Sequence, residues 1–180
     1  MLEKRVAVKK ILDEAPAFIF IGGVHGVGKT TLSDEVFRPV GYHSVTASSL
    51  IKENIASSSA NKLTNNISDN QSILIRQLDI TKKAQPKLLL DGHFCLIDKN
   101  SKIQLIEVEV FKSIDPDLLL ILVDSPKKIA DRLSKRDSEI WQIEFIQKFQ
   151  EQEIQHAKKV AQKLNIELIE IDGNDTLINS

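Results

Sequence analysis

The chain predicts an α/β fold, a three-layer α/β/α sandwich built on a five-stranded parallel sheet, and three observations carry that prediction. Short apolar runs recur along its 180 residues, each brief and continuous enough to suit a strand buried on both faces. Longer stretches that mix charges with apolar residues separate them, as helices between parallel strands would. The first apolar run also passes directly into a glycine-rich turn that opens a helix.

Taken in order, Leu2 to Glu14 sets Val6, Ile11 and Leu12 among charges, which predicts a leading helix within residues 1–15 that Pro16 terminates. Ala17-Phe18-Ile19-Phe20-Ile21 reads as the first buried strand, and Lys29 to Phe37 as the helix after the glycine turn. Further strands are expected at Tyr42–Thr46, Lys87–Leu90, Leu118–Val123 and Glu167–Ile171. Helices are expected at Ser48–Ala56, Asp69–Ala84, Pro126–Arg136 and Glu139–Leu164, the last bearing Trp141, Phe145 and Phe149 toward the sheet. Ser57 to Asn66 is Ser/Asn-rich and reads as a mobile loop, and Phe94 to Ile106 as a small hairpin around Asp98–Ser101. Without a repeat or a linker, the chain is expected to be a single domain.

Composition narrows the class. Apolar residues make up 42% and charged residues 27%, with 24 Lys+Arg against 25 Asp+Glu and a net charge of −1. That balance gives no general attraction for nucleic acid, so nucleic acid is not an expected partner. One cysteine, Cys95, cannot pair within the chain, and the charged N-terminus and the absence of long apolar runs lead to an expected cytoplasmic location away from membranes.

Gly23-Val24-His25-Gly26-Val27-Gly28-Lys29-Thr30 has the spacing G-x-x-x-x-G-K-[ST] of a phosphate-binding loop, the Walker A motif. Glycines at 23, 26 and 28 let successive backbone N–H groups converge on a phosphate, and the following helix adds its positive end. Lys29 supplies a charge for the β- and γ-phosphates, the Thr30 hydroxyl an oxygen for Mg²⁺, and Thr31 continues the binding stretch. The expected ligand is ATP with Mg²⁺; for His25 the backbone N–H matters more than the ring. Leu88-Leu89-Leu90-Asp91 then ends an apolar strand on a carboxylate, where a second-strand Asp would hold the metal, through water. Arg132 and Arg136, four apart on one helix face, can clamp triphosphate oxygens; a solvated face paired with Asp131 or Asp137 is the competing reading.

In this order the motifs resemble the adenylate kinase group of nucleoside monophosphate kinases, P-loop NTPases of the nucleotide-kinase type, from about Phe18 to Gly173. Ser44–Lys52 resembles the acceptor-binding I-S-T-G-D-L-L-R stretch, and Leu90-Asp91-Gly92-His93-Phe94 resembles L-D-G-F-P-R. Arg132-Leu133-Ser134-Lys135-Arg136 resembles the R-x-x-x-R that opens the lid, and Ile169–Gly173 the I-D-G turn beside the base. The D-G-H-F variant is close to small AAA-family proteins described only as ATP-binding. The resemblance implies that Lys29, Asp91, Arg132 and Arg136 are catalytic and that Asp172 and Gly173 contact the nucleotide. It also implies an acceptor-side insertion at about 47–84, a short lid at about 132–140, and an acceptor side including Ser48, Lys52, Arg76 and His93. His93 is open to a second reading as a structural histidine.

Four departures lie on the acceptor side or the lid. Ser49 stands where the family has an acid, Lys52 where it has an arginine, and Phe94-Cys95 where it has Pro-Arg; the lid is short. The expectation is therefore a kinase passing the γ-phosphoryl of Mg·ATP to a nucleotide, nucleoside or other small acceptor. The alternative is an ATPase or ATP-binding regulatory module acting on a partner protein.

Overall fold

The computed structural model describes residues 8–9, 11–57, 67–98, 100–138 and 140–173, with the backbone alone at 53–57 and 67–69. The expected mobile loop falls almost wholly at 58–66, outside these residues. Five strands form one parallel sheet: β1 (Phe18–Gly22), β2 (His43–Thr46), β3 (Leu88–Asp91), β6 (Leu118–Val123) and β7 (Leu168–Asp172), in the order β2-β3-β1-β6-β7. The hairpin expected between Phe94 and Ile106 is present as β4 (Cys95–Ile97) paired antiparallel with β5 (Ile103–Leu105). Asp98 caps its turn by accepting from the N–H groups of Asn100 and Lys102 at 2.8 and 2.9 Å.

Burial explains the apolar runs. All five residues of β1 and the first five of β6 are buried, as central parallel strands covered on both faces must be. Asp117 stitches these strands at their start: its carboxylate accepts from Phe18 N at 2.7 Å, and its own N–H donates to Phe18 O at 2.9 Å. The connection that leaves β1 runs to β2 at one edge, whereas the chain leaving β3 crosses to β6 on the other side of β1. The direction thus reverses between the neighbours β1 and β3, and ligands of open α/β sheets gather at the carboxyl ends of strands flanking such a switch.

The helices are α1 (described at 8–9 and 11–14), α2 (Lys29–Leu32), α3 (Ala47–Ser57), α4 (Ile67–Ala84), α5 (Val108–Ile114), α6 (Pro126–Asp137) and α7 (Ile143–Leu164). Three differ from the sequence expectation. The helix read at Lys29–Phe37 is regular only to Leu32 and widens into a π-turn over Ser33–Phe37, where Ser33 Oγ donates to Ser44 Oγ of β2 at 2.6 Å. The helix expected from Glu139 starts at Ile143, because Gln142 is extended and Ser138 closes α6 in a left-handed conformation. Helix α5 was not expected; it is only seven residues long, and Val110, Phe111 and Ile114 bury its inner face.

Helix α7 turns Ile146, Phe149, Glu153, Ala157 and Val160 inward at helical spacing. Phe149 is buried as expected and Phe145 half-buried, whereas Trp141 precedes the helix and packs against the core from its edge. No described helix is long and apolar enough to cross a membrane.

Candidate nucleotide site

The loop from Gly23 to Gly28 leaves the end of β1 and delivers Lys29 into α2. Gly23, Gly26 and Gly28 have φ of 138°, 75° and 111°, a region that side chains rarely adopt. At Gly23 space forbids anything larger as well, since a Cβ there would sit 2.6 Å from Leu122 O. Lys29 is buried and curls back over the loop, donating to Gly23 O at 2.7 Å and Val24 O at 3.3 Å. Its Nζ lies 3.7 Å from Asp91 Oδ1 at the end of β3.

Burial pushes the Lys29 ammonium pKa down, against the pull of Asp91 and Glu153. Burial likewise pushes the Asp91 carboxyl up, against Lys29 and His93. An anion on the loop would oppose the first shift and a cation beside Asp91 the second. Thr30, exposed on the cavity wall, and Asp91 offer a hydroxyl and a carboxylate, oxygen donors of the kind Mg²⁺ prefers.

Arg132 lies against the loop. Its Nη1 donates to Gly26 O at 2.7 Å and Val27 O at 3.0 Å, and its Nη2 pairs with the buried carboxylate of Asp124. Asp124 is itself fixed: its N–H donates to Gln150 Oε1 at 3.1 Å, and Gln150 Nε2 returns a bond to its carbonyl at 3.0 Å. Arg136, one turn further along α6, lines the same cavity but pairs with Asp137. Of the two readings weighed for this helix face, Arg136 makes the Asp137 pair and Arg132 reaches the loop.

His93, two residues beyond Asp91, packs its ring on that of His25, with centroids 4.2 Å apart. Its Nδ1 is buried 3.3 Å from Glu153 Oε1 without completing a hydrogen bond. Glu153, fully buried on α7, accepts from Phe94 N at 2.9 Å and Cys95 N at 3.3 Å, so one carboxylate fixes the turn that carries His93. Neighbouring Cys95 is buried, and burial raises its thiol pKa to about 12, which leaves it a poor nucleophile.

These groups open on one cavity of about 620 Å³, lined by His25 to Thr31, by Thr46 to Ser48, by Asp91 to His93, and by residues of α4, α5 and α6. Ser48 and His93 of the expected acceptor side line it. Lys52 and Arg76 do not: both are exposed, because Ile51 and Leu74 take the inward positions of their helices. Asp172 and Gly173 stand at the end of β7 outside the lining, where Gly173 packs so close to Asp124 that a Cβ would lie 3.1 Å from Oδ2. The lid expected at 132–140 is helical to Asp137.

Sequence reasoning gave no role to Asp124, Gln150 or Glu153. Two signals were there. Asp124 ends an apolar strand as Asp91 does, and Glu153 falls in phase with Ile146, Phe149 and Val160 on the buried face of α7.

Residues 22–150 match the family described as AAA domain, well over half of the chain. The chain belongs to this AAA domain family. No curated protein matches it in sequence. Among solved structures, a tunicamycin resistance protein from Deinococcus radiodurans is similar to this AAA domain at 11% identity and a TM-score of 0.52, over 82% of this chain and 95% of that one. A gluconokinase from Sinorhizobium meliloti 1021 shares 16% identity at a TM-score of 0.47, over 87% and 83% of the two chains. The likeness to the first is one of fold. The AAA domain thus has the α/β architecture, a five-stranded parallel sheet with flanking helices, that its sequence predicted.

Proposed function

We propose that the protein is a phosphotransferase that passes the γ-phosphoryl group of Mg·ATP to the hydroxyl of a small molecule. The observation that carries this reading is continuity: the phosphate loop opens into a cavity that extends beyond it, between β2–α3, α4 and α5. A site for hydrolysis alone needs room for the triphosphate and a water, whereas this cavity continues past the loop along side chains of α3, α4 and α5.

In this reading the loop N–H groups and Lys29 hold the β- and γ-phosphates, and Arg132 keeps the loop in shape from outside while offering charge at its rim. Arg136 swings from Asp137 toward the transferring group. Thr30 and Asp91 would hold Mg²⁺, which neutralises charge on the phosphate oxygens when bound. The acceptor oxygen bonds to the γ-phosphorus as the bond from that phosphorus to the β,γ-bridging oxygen breaks. ADP leaves with the bridging oxygen, and the hydroxyl proton passes to His93 Nε2, since Nδ1 faces Glu153.

The test incubates the protein with Mg·ATP and a panel of hydroxyl compounds, nucleosides and nucleoside monophosphates, and follows ADP. Acceptor-dependent ADP supports the kinase. ADP formed at one rate with or without acceptors marks an ATPase, and no ADP at all marks a binding module that acts through a protein partner.

A further inference from the structure

The chamber beside the phosphate loop has a chemistry that selects its occupant. Its described walls include Ile51 of α3, Leu74 of α4, Leu96 of β4, and Val110, Phe111 and Ile114 of α5. Ile51 and Leu96 keep part of their surface open to the cavity and Leu74 and Val110 present an edge to it, while the almost completely buried Phe111 and Ile114 back the wall from behind.

The cations of the cavity are all on the other side. Among the described residues its lysine and arginines are Lys29, Arg132 and Arg136, which belong to the phosphate loop and α6. Lys52 and Arg76, on the two helices that wall the chamber, point into solvent. A phosphate-bearing acceptor would have to leave water for walls that carry no lysine or arginine among the described residues, which is unfavourable. Thr46, Ser48 and Gln71 add uncharged polar groups to this part of the cavity, and Asn70 Oδ1 lines it, is buried and accepts no hydrogen bond. A buried acceptor without a partner favours a ligand that brings a donor.

We infer that the acceptor is an uncharged molecule with an apolar body, a reacting hydroxyl and a second hydrogen-bond donor, its body held by Ile51, Leu74 and Val110 and the second donor bonded to Asn70. This rests on the phosphotransferase reading and names its substrate class. The hydroxyl oxygen becomes the ester oxygen of the product, ATP supplies the phosphoryl group, and the proton leaves through His93.

The probe is 2-(2-naphthyl)ethanol, compared with AMP and D-ribose by saturation-transfer NMR and calorimetry on the full chain, with the donor site filled by Mg·AMP-PNP. The expected result is naphthylethanol binding about tenfold or more tighter than either comparator. Leu74→Trp and Val110→Trp, which fill the chamber, should each abolish it while AMP-PNP still binds; retained AMP-PNP binding also shows that the variants are folded. Asn70→Ala should weaken 6-(2-hydroxyethyl)-2-naphthol, whose ring hydroxyl supplies the second donor, and leave 2-(2-naphthyl)ethanol unchanged. Tighter binding of AMP or ribose, or naphthylethanol binding that survives both tryptophan variants, overturns the inference. A parallel ADP assay separates the two levels. Phosphorylation of AMP would keep the kinase and remove the apolar acceptor; naphthylethanol bound in the chamber with no acceptor-dependent ADP would do the reverse.

Discussion

Asp124, at the end of β6, holds Arg132 against the carbonyls of the phosphate loop. The carboxylate is buried and doubly bonded to Gln150 through its backbone, so it is the fixed partner, while the half-exposed guanidinium is the movable one. The pair therefore sets the position of the loop rim before any nucleotide arrives.

If that is how the pair acts, its two members are one device. Arg132→Ala should weaken Mg·ATP binding about tenfold, the scale of a charge-assisted hydrogen bond. Asp124→Asn should cost nearly as much, and the double variant little more than either single one. Calorimetric titration of the four proteins checks this; additive losses would mean that the two residues act separately.

His25 provides a pH signature. Desolvation, then the charges of His93, Lys29 and Arg136, lower its pKa to about 4. Because the folded pKa lies below the unfolded value, the unfolded chain takes up a proton that the folded chain refuses. Stability from this group is present above about pH 6.5 and is lost as the pH falls toward 4. The effect is smaller than the full shift implies, since the ring keeps contact with solvent. His25→Asn should flatten this part of the acid denaturation profile. Adding ATP should raise the His25 midpoint in an NMR titration, since phosphate charge favours the imidazolium.

Gly23 tests the loop backbone. Gly23→Ala combines a positive φ with a Cβ 2.6 Å from the Leu122 carbonyl of the adjacent strand, so backbone must move. A loss of about 2–3 kcal/mol is expected, with ATP binding lost with it. Thermal denaturation with and without Mg·ATP measures both; a variant as stable as the wild type and still stabilised by ATP would refute the strained-loop geometry.

How far the sequence could carry this account depended on the range of the interactions involved. Local signals were enough for β1, its turn and Lys29, because an apolar run, glycine spacing and a helix start lie within twenty residues of one another. The inner strands β1, β3 and β6 followed from burial on both faces, and β6 matched its expected limits, while the edge strands β2 and β7 are mostly half-exposed. Helix α5 escaped because seven residues give too few turns to establish a period. Arg132 was legible as a cation on one face of its helix, but its engagement with the loop carbonyls and Asp124 depends on how β6 and α6 meet. Lys52 was suggested by a motif and Arg76 only by its charge in the acceptor-side stretch, and helical phase turns both outward, since Ile51 and Leu74 face inward. The apolar chamber joins residues from α3 to α5, and no single stretch of sequence announces it.

Glu153 is the test of the support beneath His93. Glu153→Ala leaves the buried N–H groups of Phe94 and Cys95 without their acceptor, and a loss of about 3 kcal/mol is expected. Urea denaturation should show a lower midpoint at an unchanged slope. Glu153→Gln, which keeps one carbonyl oxygen for these donors, should lose less. Equal stability of all three proteins would place the anchor of this turn elsewhere.

The central claim is that the loop around Lys29 binds the phosphates of ATP, and calorimetric titration of Lys29→Ala with Mg·ATP tests it most directly. Removing this buried ammonium should lower ATP affinity by about a hundredfold or more, two charge-assisted contacts' worth, with an unchanged circular dichroism spectrum. Full ATP affinity in a folded Lys29→Ala protein would contradict the account at its root.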